Sequence, residues 1–137
     1  MLKIAVAIVV KNSKVLMVRR RVKTADLSWQ FPGGKVEAGE DEAQAARREV
    51  WEETTINCRP GRTLGHRPHP THQILIHYWL CDYQSGRAAI GDTDEIDRVA
   101  WMTPEEIFTA VSSDIFPPVR TYLEKLSLRR SEEDQNL

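Results

Sequence analysis

The sequence predicts an α/β fold in which a mixed β-sheet is covered by helices. Three observations predict it. Aliphatic and β-branched runs separated by polar turns mark strands near both ends of the chain. One stretch with apolar residues three and four apart marks a helix between them. The resulting order, β-β-α-β-β-β-α-α, is that of a layered α/β unit. At 137 residues the chain can bury one core but not two.

Each element has its own signal. Ile4–Val10 and Val15–Val18 flank the polar Lys11-Asn12-Ser13-Lys14, which reads as a β-hairpin. Residues 22–36 read as a loop ending in Phe31-Pro32-Gly33-Gly34, where paired glycines let the backbone approach something closely. A helix opens at Glu40 or Asp41 and runs to about Thr54, with Ala43, Ala46 and Val50 as a narrow buried stripe. Strands follow at about 57–65 and Gln73–Tyr83, joined by a Pro/His-rich connection, and then at Asp97–Met102. Thr103-Pro104-Glu105-Glu106 combines an N-cap, a first-turn proline and a capping-box glutamate, so a short helix starts there. A last helix spans roughly Pro118–Leu128. The domain is expected to cover 1–130, with 131–137 a polar tail.

The net charge of −1 argues against coating nucleic acid or lying on an anionic membrane. It conceals two local fields. Residues 1–36 carry eight Lys/Arg against Asp26 alone, while residues 37–53 carry seven acids against two arginines. The longest apolar run, Ile4–Val10, is far short of a membrane span. It reads as a strand rather than a signal segment, because Lys11, Asn12 and Lys14 and then a second apolar run follow. Cys58 and Cys81, 23 residues apart, read as reduced thiols, and the expected location is cytoplasmic.

Glu49, Glu52 and Glu53 stand at i, i+3 and i+4 of the predicted helix and so project from one face. Like charges at that spacing repel, and three carboxylates together suit Mg²⁺ or Mn²⁺, but a bare ExxEE by itself reads first as a solvated acidic face. The surrounding residues are more specific. Gly34, five residues, Glu40, seven residues, then Arg48-Glu49-Val50-Trp51-Glu52-Glu53-Thr54-Thr55-Ile56 resembles the Nudix box, GX5EX7REUXEEXGU. One defining position departs: Thr55 replaces the glycine. That residue follows the helix, so it either takes a left-handed conformation at a cost of about 1 kcal/mol or ends the helix by a different turn.

The resemblance implies an α/β/α sandwich of Nudix type and metal-dependent hydrolysis of a nucleoside diphosphate linked to another group. By the same resemblance Glu49, Glu52, Glu53 and the Gly34 carbonyl are the ligands of Mg²⁺ or Mn²⁺. Arg48 orients a carboxylate by charge-assisted hydrogen bonds, and Glu40 braces the loop onto the helix. MutT-like members place a further metal-binding or base glutamate six residues before a matching tryptophan. Glu95 stands six before Trp101 and is preferred to Asp94. Arg20 matches the arginine that such proteins set on the nucleotide, whereas Arg19 and Arg21 read equally as a plain basic edge. Phe116-Pro117-Pro118 resembles a segment after which MutT-like proteins use an asparagine on the base. Arg120 stands there, which leaves the base unassigned. Tyr78 and Phe31 are candidates to stack on a base, although aromatic residues in strands more often belong to the core.

The expected reaction is therefore cleavage of a nucleoside triphosphate to monophosphate and pyrophosphate. The alternatives are an ADP-ribose or nucleotide-sugar pyrophosphatase, for which Pro70 lies 14 residues past Ile56, and a nucleotide-sensing module without turnover. A sensor would be expected to lack box carboxylates, and all three are present. No stable nucleic-acid complex or membrane association is expected. Homodimers are frequent in this family, but no sequence feature identifies an interface. His66, His69 and His72 recur every third residue, but a zinc site there lacks a cysteine, and strand alternation would split the three between faces.

Overall fold

The computed structural model describes residues 1–21 and 27–135. Strands β1 (Leu2–Lys11) and β2 (Lys14–Arg21) form the expected hairpin. Asn12 and Ser13 both take positive φ, 50° and 60°, as a two-residue hairpin turn requires. Then come β3 (Leu27–Gln30), β4 (Gly33–Lys35), helix α1 (Glu42–Thr54), β5 (Asn57–Pro68), β6 (Ile74–Ser85), β7 (Ile96–Met102), α2 (Pro104–Ala110) and α3 (Pro117–Gln135).

The sheet is mixed, with order β3-β2-β1-β6-β5, β4 beside β1 and β7 beside β2. β1 runs parallel to β6 from Leu2 to Val10 on one side. On the other side it is shared between β4, opposite Ile4–Val6, and the start of β2. This fork opens the sheet at the Gly33-Gly34 segment.

Strand alternation builds two cores. Ala5, Ala7 and Val9 of β1, with Leu16 of β2, face Ala45, Ala46 and Val50 of α1. Ile8, with Val15 and Met17, faces the other way onto Ile107 of α2 and Val119, Leu123 and Leu126 of α3. Helices on both faces make this the α/β/α arrangement expected. The alanines on both sides of the first core let α1 lie close to the sheet. Cys58 and Cys81 are free and buried in that core.

Three expectations change. The loop over 22–36 contains β3 and β4, which pair through backbone with β2 and β1; its residues 22–26 lie outside those described. β5 continues to Pro68, because register shifts at three points let its glycines and prolines stay in the ladder. α3 continues to Gln135, so the tail from 131 is helical through that residue; Arg129, Arg130, Glu132, Glu133 and Gln135 are good helix formers. Among the described residues no helix is long and apolar enough to cross a membrane.

Candidate active site

Helix α1 is fixed at both ends. Asp41 caps its start: Gln44 N donates to Asp41 Oδ1 at 2.8 Å, and Asp41 N donates back to Gln44 Oε1 at 2.8 Å. At its end Thr55 adopts the left-handed conformation (φ 60°), and its hydroxyl donates to the Arg87 carbonyl at 2.8 Å. The 86–91 loop then closes the open carbonyls of the last turn. Ala89 N donates to Thr54 O at 2.9 Å and Gly91 N to Glu53 O at 3.0 Å. A Cβ on Gly91 would lie 2.2 Å from Glu52 O, so only glycine permits this strap. The turn carrying Glu52 and Glu53 is thereby held.

Arg48 sits among four acids. It grips Glu40 with two hydrogen bonds, Nε to Oε2 at 3.1 Å and Nη2 to Oε1 at 2.7 Å. Its Nη1 donates to Glu49 Oε1 at 2.9 Å and Glu52 Oε2 at 3.1 Å, and its Nη2 to the Lys35 carbonyl at 2.9 Å. Glu40 Oε1 also accepts from Glu37 N at 2.9 Å. Glu40 therefore braces the loop onto the helix. The Arg48 guanidinium and the Glu37 amide hold its carboxyl below the usual range. Glu49 is pressed against Gly34: a Cβ there would lie 2.4 Å from Glu49 Cδ. Burial raises the Glu49 carboxyl above the usual range, against the pull of Arg48.

Glu53 points elsewhere. Its side chain is 2% exposed and lies beneath β4, where Gly33 N donates to Oε1 at 3.0 Å and Arg20 donates to Oε2. Burial pushes its carboxyl up to about 7, with Arg20 and the Gly33 amide opposing the rise. Arg20 also donates to the Gly33 carbonyl at 2.8 Å and, through Nη1, to Glu95 Oε2 at 3.4 Å. The basic edge of β2 secures the segment bearing Glu95. Arg19 forms a two-pronged pair with Asp97 at 2.8 and 2.7 Å, and Arg21 N donates to the Glu95 carbonyl at 2.8 Å.

Of these residues Arg20, Gly34, Glu49 and Glu95 border a two-part cleft, whereas Glu52 and Glu53 do not line it. A polar half of about 530 Å³ is lined by Arg20, Gly33, Gly34, Glu37, Glu49 and Glu95 among others. A second half of about 390 Å³ is largely apolar, lined by Phe31, Ile76, Tyr78, Ile115, Phe116, Arg67 and Asp114 among others. Val6, Gln30 and Phe31 line both halves. Glu95, and not Asp94, borders the polar half. Phe31 borders both halves. Tyr78 lines the apolar half while also contributing to the core. Arg120 lines neither half: it pairs with Glu124 one turn along α3 at 3.3 Å, and its guanidinium lies 4.7 Å from the Phe108 ring centroid. Arg67, Asp114 and Phe116 were not singled out as base contacts from the sequence. Arg67 and Asp114 stand 47 residues apart, and only the fold joins them.

The histidines do not converge. His66 lies in β5 with its ring 5.6 Å from that of His77, while His69 and His72 face each other at 4.8 Å. Among the described residues no three His, Cys, Asp or Glu side chains are gathered as a ready metal centre. That applies to α1 as well: Glu49 and Glu52 share Arg48, while Glu53 turns to Arg20. The donor set still fits a hard divalent cation. All its donors are oxygens, and the missing side chain of Gly34 leaves the Glu49 carboxylate its place beside the polar cleft.

The NUDIX domain family model matches residues 1–123. The chain is 32% identical over 94 residues to the putative 8-oxo-dGTP diphosphatase of Bacillus subtilis, covering 69% of this chain and 60% of that protein. It is 30% identical over 110 residues to the CTP pyrophosphohydrolase of Escherichia coli, covering 77% and 78% respectively. The chain spans less than two thirds of the length of several curated relatives, the Bacillus protein among them. A MutT NUDIX hydrolase from Burkholderia pseudomallei superposes with a TM-score of 0.71 at 21% identity, covering 89% of this chain and 95% of that one, and shares the fold. The box on α1, the sandwich around it and these matches together establish that the chain belongs to the Nudix hydrolase family.

Proposed function

We propose that the chain hydrolyses a nucleoside triphosphate to a nucleoside monophosphate and pyrophosphate, with Mg²⁺ or Mn²⁺ as cofactor. The observation that carries this reading is the two-part cleft. A charged half fits a chain of phosphates, and an aromatic half continuous with it fits a base. The relatives named for CTP and 8-oxo-dGTP support a triphosphate substrate.

Glu49, Glu52, Glu53, Glu95 and the Gly34 carbonyl would hold the cation, which when bound neutralises phosphate charge and acidifies coordinated water. Arg48 orients the Glu49 and Glu52 carboxylates from a single nitrogen, and Glu40 fixes Arg48. Arg20 supplies positive charge at the boundary of Glu53 and Glu95, where a phosphate oxygen enters the polar half. Phe31, at the boundary of both halves, and Tyr78, on the wall of the apolar half, would contact the base.

The test is a product panel with Mg²⁺: canonical and oxidised nucleoside triphosphates, ADP-ribose, nucleotide sugars and dinucleoside polyphosphates. Monophosphate and pyrophosphate from a triphosphate are expected. Turnover confined to ADP-ribose or nucleotide sugars would replace this substrate class. No turnover on any compound would favour a sensing module.

A further inference from the structure

Outside the cleft, the face of the sheet that packs on α1 carries a pair of imidazoles that the phosphate chemistry does not use. His66 of β5 and His77 of β6 stand directly opposite each other in the antiparallel ladder, with ring centroids 5.6 Å apart. In a regular strand Thr63 and His66 would point to opposite faces. The register shift between Thr63 and Gly65 adds a residue to β5, so that both meet His77. The bulge therefore re-aims one imidazole onto the other.

The surroundings of His77 prepare it as a ligand. The Thr63 hydroxyl donates its one proton to the Tyr78 carbonyl at 3.5 Å, so in its 2.8 Å bond with His77 it accepts from Nε2. That bond fixes the tautomer and leaves Nδ1 with the free lone pair. Nδ1 lies 3.9 Å from Glu42 Oε1, at the start of α1. Burial holds the His77 imidazole below its ordinary value, with Glu42 opposing the drop and His66 and Lys3 adding to it, so the ring is neutral at pH 7. Two imidazoles on one ion at about 2.0–2.1 Å set their centroids about 4.5–5.5 Å apart. The observed separation is slightly wider, and His66 is exposed, so its side chain is free to turn and close the difference.

We propose that His66 and His77 bind a divalent transition ion of the zinc, nickel and copper group, at a site separate from the carboxylates of the box. Nitrogen donors suit those ions, whereas Mg²⁺ takes oxygen. Water completes the coordination, and the Glu42 carboxylate offsets part of the charge. Lys3 Nζ, 3.3 Å from Glu42 Oε1, opposes the ion, but its side chain is half exposed and turns readily to solvent. Glu49 stands about two turns, roughly 10 Å, further along α1. The ion therefore shares no ligand with the polar half of the cleft.

The experiment titrates Ni²⁺ into the protein in excess Mg²⁺, read by calorimetry and by tryptophan fluorescence. The Trp79 ring stacks on His77 at 5.5 Å and is the local reporter. Wild type should bind one Ni²⁺, lose Trp79 emission and gain in thermal midpoint. His66→Gln and His77→Gln should each weaken binding about tenfold or more. The midpoint without Ni²⁺ reports the folding of each variant, and His66 is exposed enough for its variant to fold. Trp79→Phe should bind Ni²⁺ with most of the quenching gone, and His69→Gln and Glu52→Gln should bind it as wild type does. No saturable binding below about a millimolar would overturn the proposal. So would binding unchanged in folded His66→Gln, or binding lost in Glu52→Gln, which would place the ion on the acidic face of α1. These readouts need no turnover, so they stand apart from the test of the hydrolytic reading.

Discussion

The carboxyl group of Glu49 rests directly on Gly34: a Cβ at that glycine would lie 2.4 Å from Glu49 Cδ and 2.5 Å from Oε1. The loop before α1 and the acidic face of α1 therefore meet through a position that admits no side chain. Gly34→Ala should push the Glu49 carboxylate away from the cleft. Because an ångström of displacement at a catalytic group can cost about a hundredfold in rate, kcat/KM should fall by about that factor. The accompanying strain should cost about 1–3 kcal/mol of stability. Steady-state kinetics beside a denaturant titration separates the two effects. An alanine variant with unchanged kinetics would show that the contact does not position Glu49.

Glu40 links stability to acid. Its pair with Arg48 lowers its carboxyl below the ordinary glutamate value of about 4.3. A lowered folded value means that the stabilisation is complete above the unfolded value and is lost as pH falls through the folded one. Glu40→Gln should therefore lower the thermal midpoint at pH 7. The gap between variant and wild type should close as pH drops below about 4. A gap that is constant from pH 7 to pH 3 would mean that Glu40 acts through packing rather than charge.

Thr55 carries a β-branched side chain at a φ of 60°, which costs about 1 kcal/mol. Its hydroxyl recovers part of that through the Arg87 carbonyl. Thr55→Gly exchanges strain relief for the lost bond and should change stability by no more than about 0.5 kcal/mol. Thr55→Val keeps the strain, loses the bond and should cost about 1 kcal/mol. Chemical denaturation of the two variants checks this: if the hydroxyl contributes nothing, Thr55→Val matches wild type and Thr55→Gly is about 1 kcal/mol more stable.

Local signals made α1 readable. Glu49, Glu52 and Glu53 follow from helical spacing, the start at Glu40 or Asp41 from where that spacing begins, and the hairpin from its polar turn; the capping box between Asp41 and Gln44 emerges only in the structure. What spacing alone misjudged was convergence. Glu53 shares the helix face with Glu49, yet it is drawn under β4 by Gly33 and Arg20, which the helix does not encode. β3 and β4 were hidden because segments of four and three residues held by backbone pairing leave little hydrophobic pattern. Arg67 and Asp114 were hidden for a different reason. Their partnership depends on β5 running past two glycines to meet the segment before α3, a long-range pairing with no local trace. Arg120 misled because position after Phe116-Pro117-Pro118 suggested a direction, whereas the helix turns its side chain to Glu124 and Phe108.

The most direct measurement follows monophosphate and pyrophosphate release from nucleoside triphosphates with added Mg²⁺, by wild type and by Glu52→Gln and Glu53→Gln. Wild type should turn over a triphosphate only with the cation present. Each variant should lose about a hundredfold or more of kcat while keeping its fold by circular dichroism. Turnover that persists without the cation, or variants running near the wild-type rate, would contradict the assignment of the α1 carboxylates as the catalytic centre.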